Sequence, residues 1–155
     1  MVMAPIREAL AQSHVFNGMS PEHLDSVAVG AVEHSVAAGH LLLTEGTVAD
    51  RCFVICDGSA AMELSSPEHP PVRFLTLYAG EVIGWSWLFP PYTWAADVRA
   101  TTDCRLISID AARLRTELEG DPHLGFALAL RFGTDALLRA KESWYQIVDL
   151  TVRDA

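Results

Sequence analysis

The sequence predicts a mainly β domain, an antiparallel β structure with helices at both ends, and three observations lead there. Between Glu33 and Ile109 short apolar runs are separated by glycine-bearing turns every 8 to 14 residues, the rhythm of compact antiparallel strands. Before Glu33 and after Ile109 the apolar residues recur instead at steps of three and four, the period of a helix. The chain has 155 residues, half of them hydrophobic, which suits one domain spanning 1–155. A domain of that size buries about two thirds of its unfolded surface and needs no disulfide staple.

The N-terminal helices are assigned to residues 1–33. Ile6, Ala9 and Leu10 share a face, followed by Val15 and Phe16, then Leu24, Val27, Ala28 and Ala31. A new helix begins at Ser20: serine is a good N-cap, Pro21 takes the first helical position, and His23 stands where a capping glutamate would. The β region covers 34–109, with strands at His34–Ala37, Leu41–Thr44, Cys52–Cys56, Ala60–Leu64 and Val72–Tyr78. Asp97–Ala100 and Arg105–Ile109, joined by a short polar turn, read as a hairpin.

The C-terminal helices occupy 110–150. Asp110 caps a helix from Ala111 to Leu118 that stops at Gly120, and Asp121 with Pro122 starts a longer helix to about Val148. On it Phe126, Leu130, Gly133, Leu137, Ala140, Trp144 and Ile147 form a seam of coiled-coil spacing, beside a second stripe of Ala127, Leu138, Tyr145 and Val148. One apolar face can cover the β core while the other meets a second subunit, so a homodimer through Leu130, Leu137, Ala140, Trp144 and Ile147 is expected. The alternative is that both stripes wrap a single core.

Composition excludes several function classes. Twenty acidic against eleven basic residues give a net charge of -9, which repels a phosphate backbone and argues against direct nucleic-acid binding. No apolar run approaches a membrane span and the N-terminus lacks a basic region followed by an apolar block, so a cytoplasmic location is expected. Cys52, Cys56 and Cys104 form neither a disulfide framework nor a zinc knuckle. Cys52 and Cys56 share a strand face but stand about 13 Å apart along it. The histidines at 14, 23, 34, 40, 69 and 123 lack the spacing of helical metal ligands, and no nucleophile or nucleotide-phosphate motif occurs, so neither a metal site nor catalysis is expected.

The stretch from Gly80 to Ala100, G-E-V-I-G-W-S-W-L-F-P-P-Y-T-W-A-A-D-V-R-A, holds three of the four tryptophans. Such bulk in a loop signals a closed pocket or a contact surface. With V-A-A-G-H-L-L-L-T-E-G at 36–46 and A-D-R-C-F-V-I-C-D-G at 49–58, its opening G-E-V-I-G at 80–84 resembles the cyclic-nucleotide-binding domains of the catabolite-activator-like sensors. The resemblance covers most of residues 15 to 120. It implies an antiparallel β-roll of the double-stranded jelly-roll type, with a short cassette helix inside 80–100 and a long C-terminal helix that dimerises.

More narrowly, G-W-S-W-L-F-P-P-Y resembles a subgroup of short, stand-alone members. The family's transcription factors append a helix-turn-helix after the long helix. Here seven residues follow Val148, so none is expected.

In the family the cassette carries a glutamate for the ribose hydroxyl, an arginine and a neighbouring hydroxyl residue for the cyclic phosphate, and helix N-terminal amides. In this sequence Gly84 matches, but Trp85 stands at the glutamate position, Trp94 at the arginine and Ala95 at the hydroxyl residue. Truncating one partner of a buried charge pair typically costs about 2–5 kcal/mol, roughly 30 to several thousand fold in affinity, so cyclic AMP is expected to bind weakly or not at all in the family's manner.

Candidate contacts that remain are the backbone around Trp85, Ser86 and Trp87, the Ser86 hydroxyl, and Arg99, helped by Arg73, unless Arg99 pairs instead with Asp97 or Asp103. The tryptophans themselves have three fates open to them: stacking on a nucleotide or other flat ligand, filling the old pocket, or docking a protein partner. The function expected is a non-catalytic regulatory domain with an altered cassette. The alternatives are a degenerate adaptor or accessory subunit of an enzyme complex, and a binder of a different nucleotide-like ligand.

Overall fold

The computed structural model describes residues 3–155, apart from the side chain of Met3, so the first two positions of the predicted N-terminal segment lie outside the described residues. The order of elements is α1 (Met3–Gln12), α2 (Pro21–Ala28), β1 (Val32–Val36), β2 (Leu41–Leu43), β3 (Arg51–Asp57), β4 (Ser59–Ser66), β5 (His69–Tyr78), β6 (Val82–Ile83), β7 (Asp97–Ala100), β8 (Cys104–Asp110), α3 (Ala111–Gly120) and α4 (Pro122–Arg153). The strands form two four-stranded sheets, ordered β1-β8-β3-β6 and β2-β7-β4-β5, with each pairing antiparallel. This is the β-roll the sequence predicts, with flanking helices. Cys52, Ile55, Leu77, Val98, Leu106 and Ile109 of the two sheets are all buried in the core.

Locally encoded features form where the sequence puts them. The Ser20 hydroxyl accepts from the His23 amide at 3.2 Å, and Asp110 accepts from Arg113 at 2.7 Å. Asp121 starts α4 by accepting from the amides of His123 and Leu124 at 3.1 and 3.2 Å. These caps satisfy amides that the first helical turn leaves without partners. β7 alternates as a half-buried strand should, with Val98 and Ala100 inward and Asp97 and Arg99 outward.

Four expectations are corrected. The segments 97–100 and 104–110 are not a hairpin: β7 pairs with β2 and β4 in one sheet, β8 with β1 and β3 in the other. Residues 101–103 therefore cross between sheets, as Gly58 does between β3 and β4, and the two crossings pack on each other. The Thr101 amide donates to Ser59 O at 2.9 Å, and Gly58 adopts φ +94, where a side chain would collide with the Asp103 carbonyl and Thr102 Oγ1. Only glycine fits that corner.

The cassette helix is also replaced, by two overlapping turns, Leu88 N to Trp85 O at 3.2 Å and Phe89 N to Ser86 O at 3.3 Å. Pro90 and Pro91 follow directly and carry no N–H to continue the ladder.

The third and fourth corrections concern α4. It runs to Arg153 rather than stopping near Val148, because no glycine or proline stands just beyond Val148 to end it and Arg153 pairs with Asp149 at 3.1 Å. Nor does either predicted stripe face the core. That role falls to Leu124, Leu128 and Phe132, while Phe126, Leu130, Leu137, Leu138, Trp144, Tyr145, Ile147 and Val148 are all exposed. Among the described residues no helix is long and apolar enough to cross a membrane.

Candidate functional site

The cassette begins where β6 ends. Gly84 takes φ +93, and a Cβ there would stand 2.5 and 2.7 Å from Cζ3 and Cη2 of Trp94, so the indole lies directly on the glycine face. Trp94 is held by its backbone, its amide donating to Thr47 O at 3.0 Å and its carbonyl accepting from Gly46 at 2.9 Å. Its side chain is consequently turned inward and only 5% exposed. The space left in front of it, bordered by Leu43, Met62, Trp85, Ser86, Ala95 and Val98, is about 30 Å³. That admits a water or two, whereas small-molecule pockets run to about 300 Å³ or more.

The three cassette tryptophans do not assemble into one platform. Trp87 is fully buried and meets Phe132 of α4 edge-on, ring centroids 5.2 Å apart at 85°, while Phe132 in turn meets Phe16 at 5.8 Å and 72°. The loop is thereby stitched to both helical ends of the chain, an arrangement aromatic quadrupoles favour. Trp85 remains partly buried and donates its Nε1–H to Asp135 Oδ2 of α4 at 2.7 Å. From α3, Arg115 donates to the Trp87 carbonyl and lies 4.4 Å over the ring of Tyr92. Tyr92 adopts φ 57, uncommon for a non-glycine residue, and is fixed there by the Ala49 amide, which donates to its carbonyl at 2.7 Å.

The arginines expected as anion ligands are engaged elsewhere. Glu63, 3% exposed, accepts from Arg73 Nε at 3.3 Å and from Arg99 Nε at 3.4 Å, and Arg99 Nη1 also donates to Gly39 O at 2.9 Å. Arg99 thus pairs with Glu63 rather than with Asp97 or Asp103. Asp97 instead accepts from the Glu45 amide at 2.7 Å, and Asp103 from the Ala38 amide at 2.9 Å. Neither guanidinium borders the 30 Å³ space. A more open groove of about 520 Å³, lined by Thr44, Thr47, Asp50 and Arg51, also touches Trp94.

Two indoles, buried Trp94 and partly buried Trp85, border the cassette space of about 30 Å³, whose volume is about a tenth of what a small-molecule pocket needs.

Sequence reasoning missed the polar cluster behind the cassette: Asp135 and Arg139 on α4 with Glu81 in the β5–β6 turn. Arg139 Nη2 stands 2.8 Å from Glu81 Oε1, and Glu81 Oε2 accepts from the Tyr78 amide at 2.6 Å. Their side chains are 12%, 10% and 8% exposed for Arg139, Asp135 and Glu81. A signal was present, since Asp135 and Arg139 continue the three-and-four spacing of Leu124, Leu128 and Phe132, so charged residues occupy a core-facing line.

The cysteines are free, and burial pushes the Cys52 thiol up to about 12. Burial also raises Cys56, opposed by the neighbouring Arg105 guanidinium. Among the described residues no group of His, Cys, Asp or Glu is arranged to hold a metal ion.

Comparison with known proteins agrees with this architecture. A crystallised Geobacter metallireducens protein assigned to cyclic nucleotide binding is 28% identical, with a TM-score of 0.78 over 86% of this chain and 97% of that one. The sensor domain of the transcriptional regulator DNR from Pseudomonas aeruginosa, 16% identical, shares the fold at a TM-score of 0.73 over 91% of this chain and 95% of that one. A curated relative, the CRP-like cAMP-activated global transcriptional regulator of Mycobacterium tuberculosis, is 21% identical over 117 residues, 76% of this chain and 52% of the relative. The chain thus spans about half the length of the curated relatives it matches. The family model described as "Cyclic nucleotide-binding domain" matches residues 33–121, more than half of the sequence, and the chain belongs to the cyclic nucleotide-binding domain family.

Proposed function

We propose that this domain is a non-catalytic regulatory module that has replaced the nucleotide with its own side chain and acts through protein contacts. The observation that carries this reading is Trp94, buried against Gly84 at the position where the family's arginine would meet a cyclic phosphate, with about 30 Å³ left beside it. The engagement of Arg73 and Arg99 by Glu63 supports the same reading, because neither guanidinium is then free to meet a phosphate.

The module works as a homodimer through α4. Leu130, Leu137, Trp144 and Ile147 are 58, 66, 60 and 46% exposed, and with half-buried Ala140 they keep coiled-coil spacing. A seam of that kind left bare on a protomer is characteristic of an interaction surface.

Titration with cyclic AMP and cyclic GMP to millimolar concentration, followed by thermal shift and tryptophan fluorescence, tests the first part. No saturable response is expected, since a ligand that bound would raise stability by RT ln(1 + [L]/Kd). A saturable shift that disappears in Trp94→Ala would establish a working sensor. Sedimentation equilibrium tests the second: the wild type is expected to be dimeric and Leu137→Glu monomeric, while a monomeric wild type removes the dimer.

A further inference from the structure

The apolar attachment of α4 to the body ends at Phe132. Leu124, Leu128 and Phe132 are buried, whereas from residue 140 onward no side chain is; the distal part lies along β5 with a single long side-chain hydrogen bond to it among the described residues, Gln146 Nε2 to Arg73 O at 3.4 Å. Thirty-two residues make a rod of about 48 Å, so a small change of angle near its middle displaces the far end substantially. At that middle stands the cluster of Glu81, Asp135 and Arg139.

The charges there do not balance by themselves. Two nearly buried carboxylates, Glu81 and Asp135, share one guanidinium. Arg139 spends its best contacts on Glu81 at 2.8 Å and on exposed Glu142 at 2.6 Å, leaving Nε 3.7 Å from Asp135 Oδ1, close enough for ionic attraction but not for a hydrogen bond. Glu81 is completed by the Tyr78 amide, which belongs to the sheet and cannot move away. Asp135 is completed by the Trp85 indole at 2.7 Å, which belongs to the cassette. A buried carboxylate that loses such a donor is strongly destabilised, and the least costly response is for its helix to swing it toward water.

We infer that Trp85 is a positioning residue that latches α4: its N–H, by completing the Asp135–Arg139–Glu81 cluster, sets the angle of the distal half of α4 against the β-roll. Trp85 is itself only partly buried and borders the cassette surface, so whatever engages that surface and turns the indole releases the distal helix and its apolar seam. The latch requires no ligand. It couples the cassette to the helix by a side-chain bond within the chain.

The test is amide hydrogen exchange of the full chain carrying Trp85→Phe, which keeps an aromatic ring in the cassette and deletes the donor. Exchange is expected to rise about tenfold or more in peptides covering 136–153, with peptides of β3 and β8 unchanged. Arg139→Gln, which removes the guanidinium between the two carboxylates, is expected to loosen the same peptides. Asp135→Leu combined with Trp85→Phe removes donor and acceptor together and is expected to restore most of the protection. Unchanged exchange over 136–153 in either single variant overturns the latch, and so does a rise spread equally over β3 and β8. Absence of protection in the double variant has the same consequence.

Discussion

Trp87 in the cassette and Trp144 near the end of α4 sit in stretches of similar apolar character, yet one is wholly buried and the other 60% exposed. The cassette is a loop, but it threads between the roll, α3 and α4, so its rings find partners on every side. The end of α4 is a regular helix, but it outruns the body it packs on. Burial here follows from how much of the molecule surrounds a segment. Regularity of the segment and its hydrophobicity do not decide it, since exposed large apolar residues are common wherever surface is left over.

The comparison is broken most sharply by truncating the two rings. Trp87→Ala is expected to cost about 3–5 kcal/mol, the usual price of deleting a large buried aromatic, whereas Trp144→Ala should stay within about 0.5 kcal/mol for the isolated protomer. Urea unfolding at low protein concentration measures both, and similar losses would mean that α4 is covered even in the protomer.

A smaller effect is expected from Gly84→Ala, about 1–3 kcal/mol, because the added methyl meets the Trp94 ring at a backbone angle alanine resists. The same substitution in Trp94→Ala should be milder in a double-mutant cycle. Equal cost in both backgrounds would show that the ring does not sit on the glycine.

Thiol labelling extends the contrast to the core strands. In the native protein Cys52, with its thiol pushed up to about 12 by burial, should not react at neutral pH, while half-buried Cys56 reacts slowly. Prompt labelling of Cys52 would reveal opening of the roll.

The smallest effect concerns the anchored end of α4. Hydrogen bonds from the amide of Leu124 first, and also from His123, together with the charge of His23, hold the Asp121 carboxyl below its ordinary range. A carboxyl lowered by folding contributes stability above its unfolded value near 4 and loses it as pH falls through the folded value. The difference in stability between wild type and Asp121→Asn should therefore be present above about pH 5 and shrink in more acid solution. A difference independent of pH would mean that the charge of Asp121 contributes nothing.

Much of the fold is legible in the chain because its signals are local. Ser20, Asp110 and Asp121 each cap a helix through an amide two or three residues away, and the strands lie between turns whose glycines adopt positive φ. The crossing at 101–103 was not legible, because a turn between two strands looks the same whether they pair or part. What separates them is the packing of that turn on Gly58, more than forty residues earlier.

For the site, the sequence by itself determined that indoles, Trp85 and Trp94, stand where the resemblance to the family implies an acid and an arginine, since a side chain's chemistry needs no structure to read. It also determined that α4 carries more apolar surface than one face requires. Only the tertiary structure decided where the three indoles point: Trp94 into the pocket, Trp87 into the core and Trp85 onto Asp135. The reason is physical. A ring's direction is set by what closes around it, and those neighbours, Phe16, Gly84, Phe132 and Asp135, come from segments that meet only when the chain has folded.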